Sequence, residues 1–145
     1  MRNLLSNESD SKKLQRAWDL DQKALFLADK DIQKKLWSEA INICKKLLKK
    51  YGNNFPDNLQ IIYKIFLIYL HQKKILLAKR YIDKAWNLDK NNPITLFNYG
   101  NFYRAINKPK LAIKYYESAS KKSSTKIFGE ELKKYLTFIN KNKKG

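Results

Sequence analysis

The residues able to do chemistry are few and lie far apart. The chain has one histidine, His71, and one cysteine, Cys44, among 145 residues. A side-chain nucleophile needs a base within hydrogen-bond reach and a third group that orients the base. His71 and Cys44 fall in different predicted helical units, and no third partner accompanies them. Acids number 13, and no pair has a spacing that would converge on a substrate. There is no glycine-rich phosphate loop, and one Cys with one His is no metal-ligand set. Cys44 permits no internal disulfide. It falls on an apolar helix face and reads as a small buried hydrophobe rather than a reactive thiol. The expectation is a protein that is not an enzyme and uses no cofactor and no metal.

The second chemical feature is charge. Lys and Arg total 31 against 13 acids, a formal net charge of +18. A field of that sign attracts nucleic acid, anionic membrane or acidic protein. Only Arg2, Arg16, Arg80 and Arg104 are arginines; the rest are lysines, set among many asparagines and isoleucines. An A/T-rich coding background gives the same mix, so the charge reads equally as functional or as background. The lysines fall mainly on second helices and turns (Lys45, Lys46, Lys49 and Lys50; Lys79, Arg80 and Lys84; Lys108, Lys110 and Lys114). Charge spread in this way gives salt-sensitive attraction, not base readout.

The elements that carry these residues are helical. Hydrophobic content is 43% with only 4 Gly and 3 Pro, which disfavours a turn-rich β fold. No secretory signal is visible, and the most apolar run, 61–70, is broken by Lys64 and about half the ~20 residues of a membrane span. The chain is expected to be soluble and cytoplasmic. Ser9, Asp10 or Ser11 can cap a first helix. The seam Leu14, Trp18, Asp21, Leu25, Ala28 and Ile32 then predicts one helix from about 12 to 34. A second helix starts near Trp37 or Ser38, buries Ala40, Ile41, Cys44, Leu47 and Leu48, and stops at Tyr51-Gly52-Asn53-Asn54. Residues 55–58 are an inserted turn in which Asp57 or Asn58 caps the next helix. A last helix spans about 127–140 with Ile127, Phe128, Leu132, Tyr135, Leu136 and Ile139 on its apolar face, followed by a mobile basic tail.

The best-patterned stretch is 93–126. Leu96, Tyr99, Gly100 and Tyr103 share one helical face. Asn107 suits the end of that helix and Pro109 the first turn of the next. Ala112, Tyr116 and Ala119 then share a second face. Ala78, Ile82 and Ala85 show the same set with the same internal spacing earlier in the chain. Ala40, Cys44 and Leu47 show it again, once the inserted turn is allowed for.

This order and spacing resembles the tetratricopeptide repeat (TPR) family, whose pattern is Leu-Gly-x-x-Tyr followed by Ala-x-x-x-Phe. The family unit is about 34 residues long, the interval that separates Ala78 from Ala112 here. The resemblance covers three units, 21–54, 59–92 and 93–126, with an N-terminal, partly helical extension at 1–20 and a capping helix and tail at 127–145. Departures are Asp31 where Tyr is expected, Phe66 where a small residue is expected, and Lys90 in place of Pro. The fold this implies is an all-α solenoid of antiparallel helix pairs; a generic helical bundle is the rival.

The resemblance also implies a function: binding another protein or peptide, as a scaffold or assembly factor, in a concave groove lined by each unit's first helix. The groove positions in this chain are Tyr63, Leu67, His71, Phe97, Asn101 and Arg104. Some cochaperone members clamp a terminal carboxylate, but the clamp positions here hold Leu25, Asp29, Ile94 and Asn98, so that activity does not carry over. The alternatives are an RNA- or ribosome-associated helical-repeat protein that uses its lysine-rich surface, and an assembly role at an anionic membrane. Self-association with a second copy is open as well.

Overall fold

The computed structural model describes residues 5–143; the first four residues of the extension and the last two of the basic tail lie outside them. The described chain is all-helical: α1 (Glu8–Leu25), α2 (Lys30–Tyr51), α3 (Asp57–His71), α4 (Ile75–Leu88), α5 (Pro93–Ala105), α6 (Pro109–Lys122) and α7 (Lys126–Lys143). No strand occurs among the described residues. Helices consecutive in sequence pack as neighbours within two compact units, Met1–Leu88 and Asp89–Gly145.

The first helix pair departs from the expected boundaries. The predicted helix over 12–34 breaks at 26–29, and the predicted break near Trp37 lies inside α2. Asp29 causes this. Its carboxylate accepts the backbone N–H groups of Asp31 and Ile32 at 2.9 and 3.1 Å, satisfying two donors that a new helix start leaves open. The reversal lets α2 pack along α1 and bury Ala17 and Ala24 completely. At the other end the cap is Asn7, which accepts from Asp10 N–H at 3.1 Å, not Ser9, Asp10 or Ser11. Asp10 and Ser11 are buried and hold tertiary contacts instead. The Tyr51 hydroxyl donates to Asp10 at 2.6 Å, and the Ser11 hydroxyl donates to the Leu5 carbonyl at 3.0 Å. Residues 8–20 are therefore the body of α1.

Helix α3 is the centre of its unit. Every residue from Leu59 to Tyr69 is buried except Gln60 and Leu67, as expected of a helix with neighbours on several sides. It packs against α1, α2 and α4. Asp57 is its first residue, and Asn58 turns its amide onto the Gly52 carbonyl at 3.1 Å, so neither caps it.

The α3–α4 and α5–α6 hairpins close with the same turn, one repeat period apart. Lys74 N–H donates to the Tyr69 carbonyl and Lys108 N–H to the Tyr103 carbonyl, both at 2.9 Å. Lys73 N–H bonds Leu70, and Asn107 N–H bonds Arg104, at 3.0 and 3.1 Å. Lys73 (φ 60) and Asn107 (φ 58) take the left-handed conformation between these bonds, which is the Schellman arrangement of a helix C-terminus. A tyrosine pair recurs at the same offset: Tyr69–Tyr81 at 5.7 Å and Tyr103–Tyr115 at 5.4 Å between centroids. Ala78, Ala85, Ala112 and Ala119 are all fully buried.

The second unit is completed by α7, which packs on α6. Phe128 and Tyr135 are its buried residues, whereas Ile127 is 61% exposed. The helix runs on to Lys143, so the tail residues 140–143 are helical.

Candidate functional site

The six residues expected to line a groove fall into two sets, one in each unit. In the first unit Tyr63 is buried and Leu67 half-buried. The same part of α3 is covered by α1. Lys64 Nζ sits 3.7 Å from the centroid of the Trp18 ring. His71 is half-buried, its Nδ1 2.8 Å from the fully buried carboxylate of Asp21. Asp21 also accepts from the indole N–H of Trp37 at 2.9 Å, so the histidine joins a structural network linking α1, α2 and α3.

In the second unit the structure brings the three residues together under α7. Phe97 packs on Tyr116 and Phe128, with centroids 5.3 and 4.8 Å apart. Asn101 accepts from the Tyr116 hydroxyl at 2.6 Å and donates to Asn98 at 3.3 Å. The Arg104 guanidinium lies over the Tyr135 ring at 4.8 Å and is the one exposed member of the six.

The buried ionisable groups have clear physical settings. Burial pushes the Cys44 thiol up to about 12, so at neutral pH it is protonated and weakly nucleophilic. Burial lowers the Lys64 ammonium to about 8. Hydrogen bonds from Lys50 and then Tyr51 hold the Asp10 carboxyl down at about 2. Among the described residues no group of three His, Cys, Asp or Glu side chains is placed to hold a metal ion, and no helix is long and apolar enough to cross a membrane.

The open concave surface of the first unit lies on its other side. Helix α2 lines all of it; the α3–α4 turn (Gln72, Lys74) borders one end, and α4 (Tyr81, Lys84, Leu88) borders the other. Three depressions follow one another along α2. One of about 360 Å³ is lined by Lys30, Gln33, Lys34, Trp37, Ser38, Gln72 and Lys74. The next, about 170 Å³, shares Ser38, Gln72 and Lys74 and adds Ile41, Asn42 and Tyr69. The third, about 340 Å³, is lined by Lys45, Leu48, Lys49, Gly52, Ile62, Tyr81, Lys84 and Leu88. The Tyr69–Tyr81 pair joins the last two, and Lys45 stands 5.9 Å over the Tyr69 ring. The Tyr69 hydroxyl beside it holds the Lys45 ammonium above its ordinary pKa. Six lysines thus border one cleft, and no acid lines any part of it.

Lys45, Lys49 and Lys84, expected as spread charge, stand together here, joined by Lys30, Lys34 and Lys74, which the sequence pattern does not single out. The signal was present in α2, where Lys30, Lys34, Lys45 and Lys49 fall on one stripe of a helix with 3.6 residues per turn. Breaking α2 near Trp37 put the first two on a different helix and hid the stripe. No family model, no curated protein and no solved structure matches this chain.

Proposed function

We propose that the chain is a non-enzymatic helical-repeat module of the tetratricopeptide kind, working in the soluble cytoplasm as a scaffold or assembly factor that binds another protein. The observation that carries this reading is a recurrence inside two hairpins. The Schellman turn, the left-handed residue, the packed tyrosine pair and the buried alanines all repeat at the TPR period. Repeats of this kind present surface for partners rather than reaction chemistry. The non-enzymatic reading is supported by the two residues with most chemical promise. Cys44 is fully buried, and His71 leans on a buried carboxylate that also takes the Trp37 indole.

A second reading, RNA association, is favoured by the lysine cleft and the +18 charge. Affinity pull-down from cell extract separates the two, run at low and at ~0.5 M salt and after nuclease. The Debye length at the higher salt is only about 4 Å, so purely electrostatic capture is lost there. Protein partners that persist at ~0.5 M salt after nuclease are the expected result. Loss of every partner under those conditions overturns the protein-binding reading.

A further inference from the structure

We infer that the lysine cleft along α2 is a docking site for an acidic amphipathic helix of another protein. The inference rests on the protein-binding reading and names its partner class and place. Charge complementarity is the first argument. Lys30, Lys34, Lys45, Lys49, Lys74 and Lys84 make no ion pair among the described residues. Elsewhere in the same unit lysines do find carboxylates, as Lys79 does with Asp83 at 2.7 Å. The cleft therefore concentrates positive charge with no described carboxylate in ion-pair contact with these six lysines, and carboxylates are its complement.

The shape of the cleft is the second argument. From Lys30 to Leu48 the α2 wall spans about 27 Å at 1.5 Å per residue. The depressions run along α2, the direction a ligand helix laid against it would take. Among the lysines the apolar groups open to a ligand are Leu48, half-buried, and Leu88, 40% exposed; Ile41 and Ile62 are themselves buried. A ligand helix of about 18 residues fits this length. It would carry leucines at i, i+3 and i+4 toward the cleft, with Glu or Asp on both flanks.

The same lining disfavours a single-stranded nucleic acid. Base binding of that kind needs open aromatic faces. Tyr69 is 5% exposed and Trp37 is 8% exposed. Tyr81 packs tilted against Tyr69 and carries Lys84 over its ring at 5.9 Å.

The test uses the full chain and two fluorescent probes in 0.15 M salt. One is an 18-residue Glu/Leu peptide with leucine at helical spacing; the other is an 18-nucleotide oligouridylate. The cleft variant Lys34→Glu/Lys49→Glu is compared with Lys110→Glu/Lys114→Glu on α6, which makes the same charge change on other lysines. Circular dichroism melts establish that both fold. Peptide affinity is expected to fall about tenfold or more in the cleft variant and less than twofold in the α6 variant. Replacing the peptide leucines by serine is expected to abolish binding. Equal losses in the two variants overturn the inference. So does failure of the peptide to bind below ~1 mM, or tighter binding of oligouridylate that the cleft variant removes. If the cleft variant keeps its salt-resistant partners in pull-down, docking in the cleft fails while the protein-binding reading stands.

Discussion

Position 66 in α3 is phenylalanine, and the matching position in α5, one repeat period on, is Gly100. Across each hairpin the relation reverses: Ile82 stands in α4 where Tyr116 stands in α6. All four are buried. A Cβ added to Gly100 would meet two carbons of the Tyr116 ring at 2.5 Å, so the ring occupies the space a side chain would need. The α3–α4 pair inverts the arrangement, with the aromatic on the first helix and the smaller group on the second. What the two pairs share is one bulky aromatic with a smaller partner, carried on opposite helices; Phe66 with Ile82 fills more space than Gly100 with Tyr116, so the close approach at Gly100 belongs to the α5–α6 pair.

That comparison can be broken most forcefully at Gly100. Gly100→Phe alone should cost about 4 kcal/mol or more and unfold the second unit, since the contact is with a buried ring and not a flexible chain end. Adding Tyr116→Ile copies the Phe66/Ile82 solution and should restore at least half of that loss in urea denaturation. If the double change is no better than the single one, the two pairs do not exchange their bulky residue across the hairpin in the way described. The complementary experiment, Phe66→Ala, leaves a cavity at a fully buried position of α3 and should cost roughly 3–4 kcal/mol.

These hairpins were legible in the sequence because their signals are local and agree with each other. Buried alanines recur at a fixed period, and Pro93 and Pro109 mark helix starts. Asn92 caps the first of these helices, accepting from Ile94 N–H at 2.9 Å. The first pair was not legible. Leu25, Ala28 and Ile32 continue the helical spacing past Asp21, so spacing places Asp29 inside one helix at a groove position rather than at a cap. Spacing alone puts Tyr63, His71, Phe97 and Asn101 off the main hairpin-packing positions of α3 and α5. Which helix lies against such a face is a tertiary fact that periodicity does not contain. Helix α1 meets α3 through Trp18 and Asp21, and α7 meets α5 through Phe128 and Tyr135.

The next contrast is between Lys64 in α3 and its counterpart Asn98 in α5. Both are buried, at 7% and 5% exposure. Asn98 accepts a hydrogen bond from Asn101, whereas the Lys64 ammonium rests on the Trp18 ring without a carboxylate. Its pKa in the folded chain is lowered from 10.5 to about 8, so below pH 8 the folded state holds a buried charge that the unfolded state keeps hydrated. Stability should therefore rise as pH climbs from about 8 to about 10.5, where the unfolded chain binds the extra proton. Lys64→Met removes that burial penalty. It should stabilise by about 2 kcal/mol at pH 7, after allowing for the lost cation–π contact and partial exposure. It should also flatten the slope above pH 8. An unchanged slope in the variant would assign the dependence to another group.

The first pair differs from both hairpins in how it is fastened. It has no Schellman turn and no stacked tyrosines; Asp10 of α1 instead binds Lys50 and Tyr51 at the end of α2. The Asp10 pKa is depressed from 3.8 to about 2, so its contribution is present above about pH 4 and is lost as pH falls toward 2. Hydrogen exchange at pH 2.5 should show the α1 N-terminus and α2 C-terminus opening before either hairpin turn. Asp10→Asn should produce the same local opening at neutral pH.

The smallest expected effect concerns the turn the hairpins share. Lys73 and Asn107 hold equivalent left-handed positions, but the cost differs. A side chain with a Cβ is disfavoured there, and Asn is the side chain that tolerates it best. Lys73→Gly should stabilise the first unit by about 0.5–1 kcal/mol, since glycine reaches φ 60 without the clash and the site is exposed. Asn107→Gly should change the second unit by only a few tenths, because asparagine already meets most of the requirement and glycine costs more entropy on folding. Lys73→Asn should then recover most of the gain of Lys73→Gly. Equal responses at the two positions would mean that the turns, although alike in hydrogen bonding, do not carry the same strain.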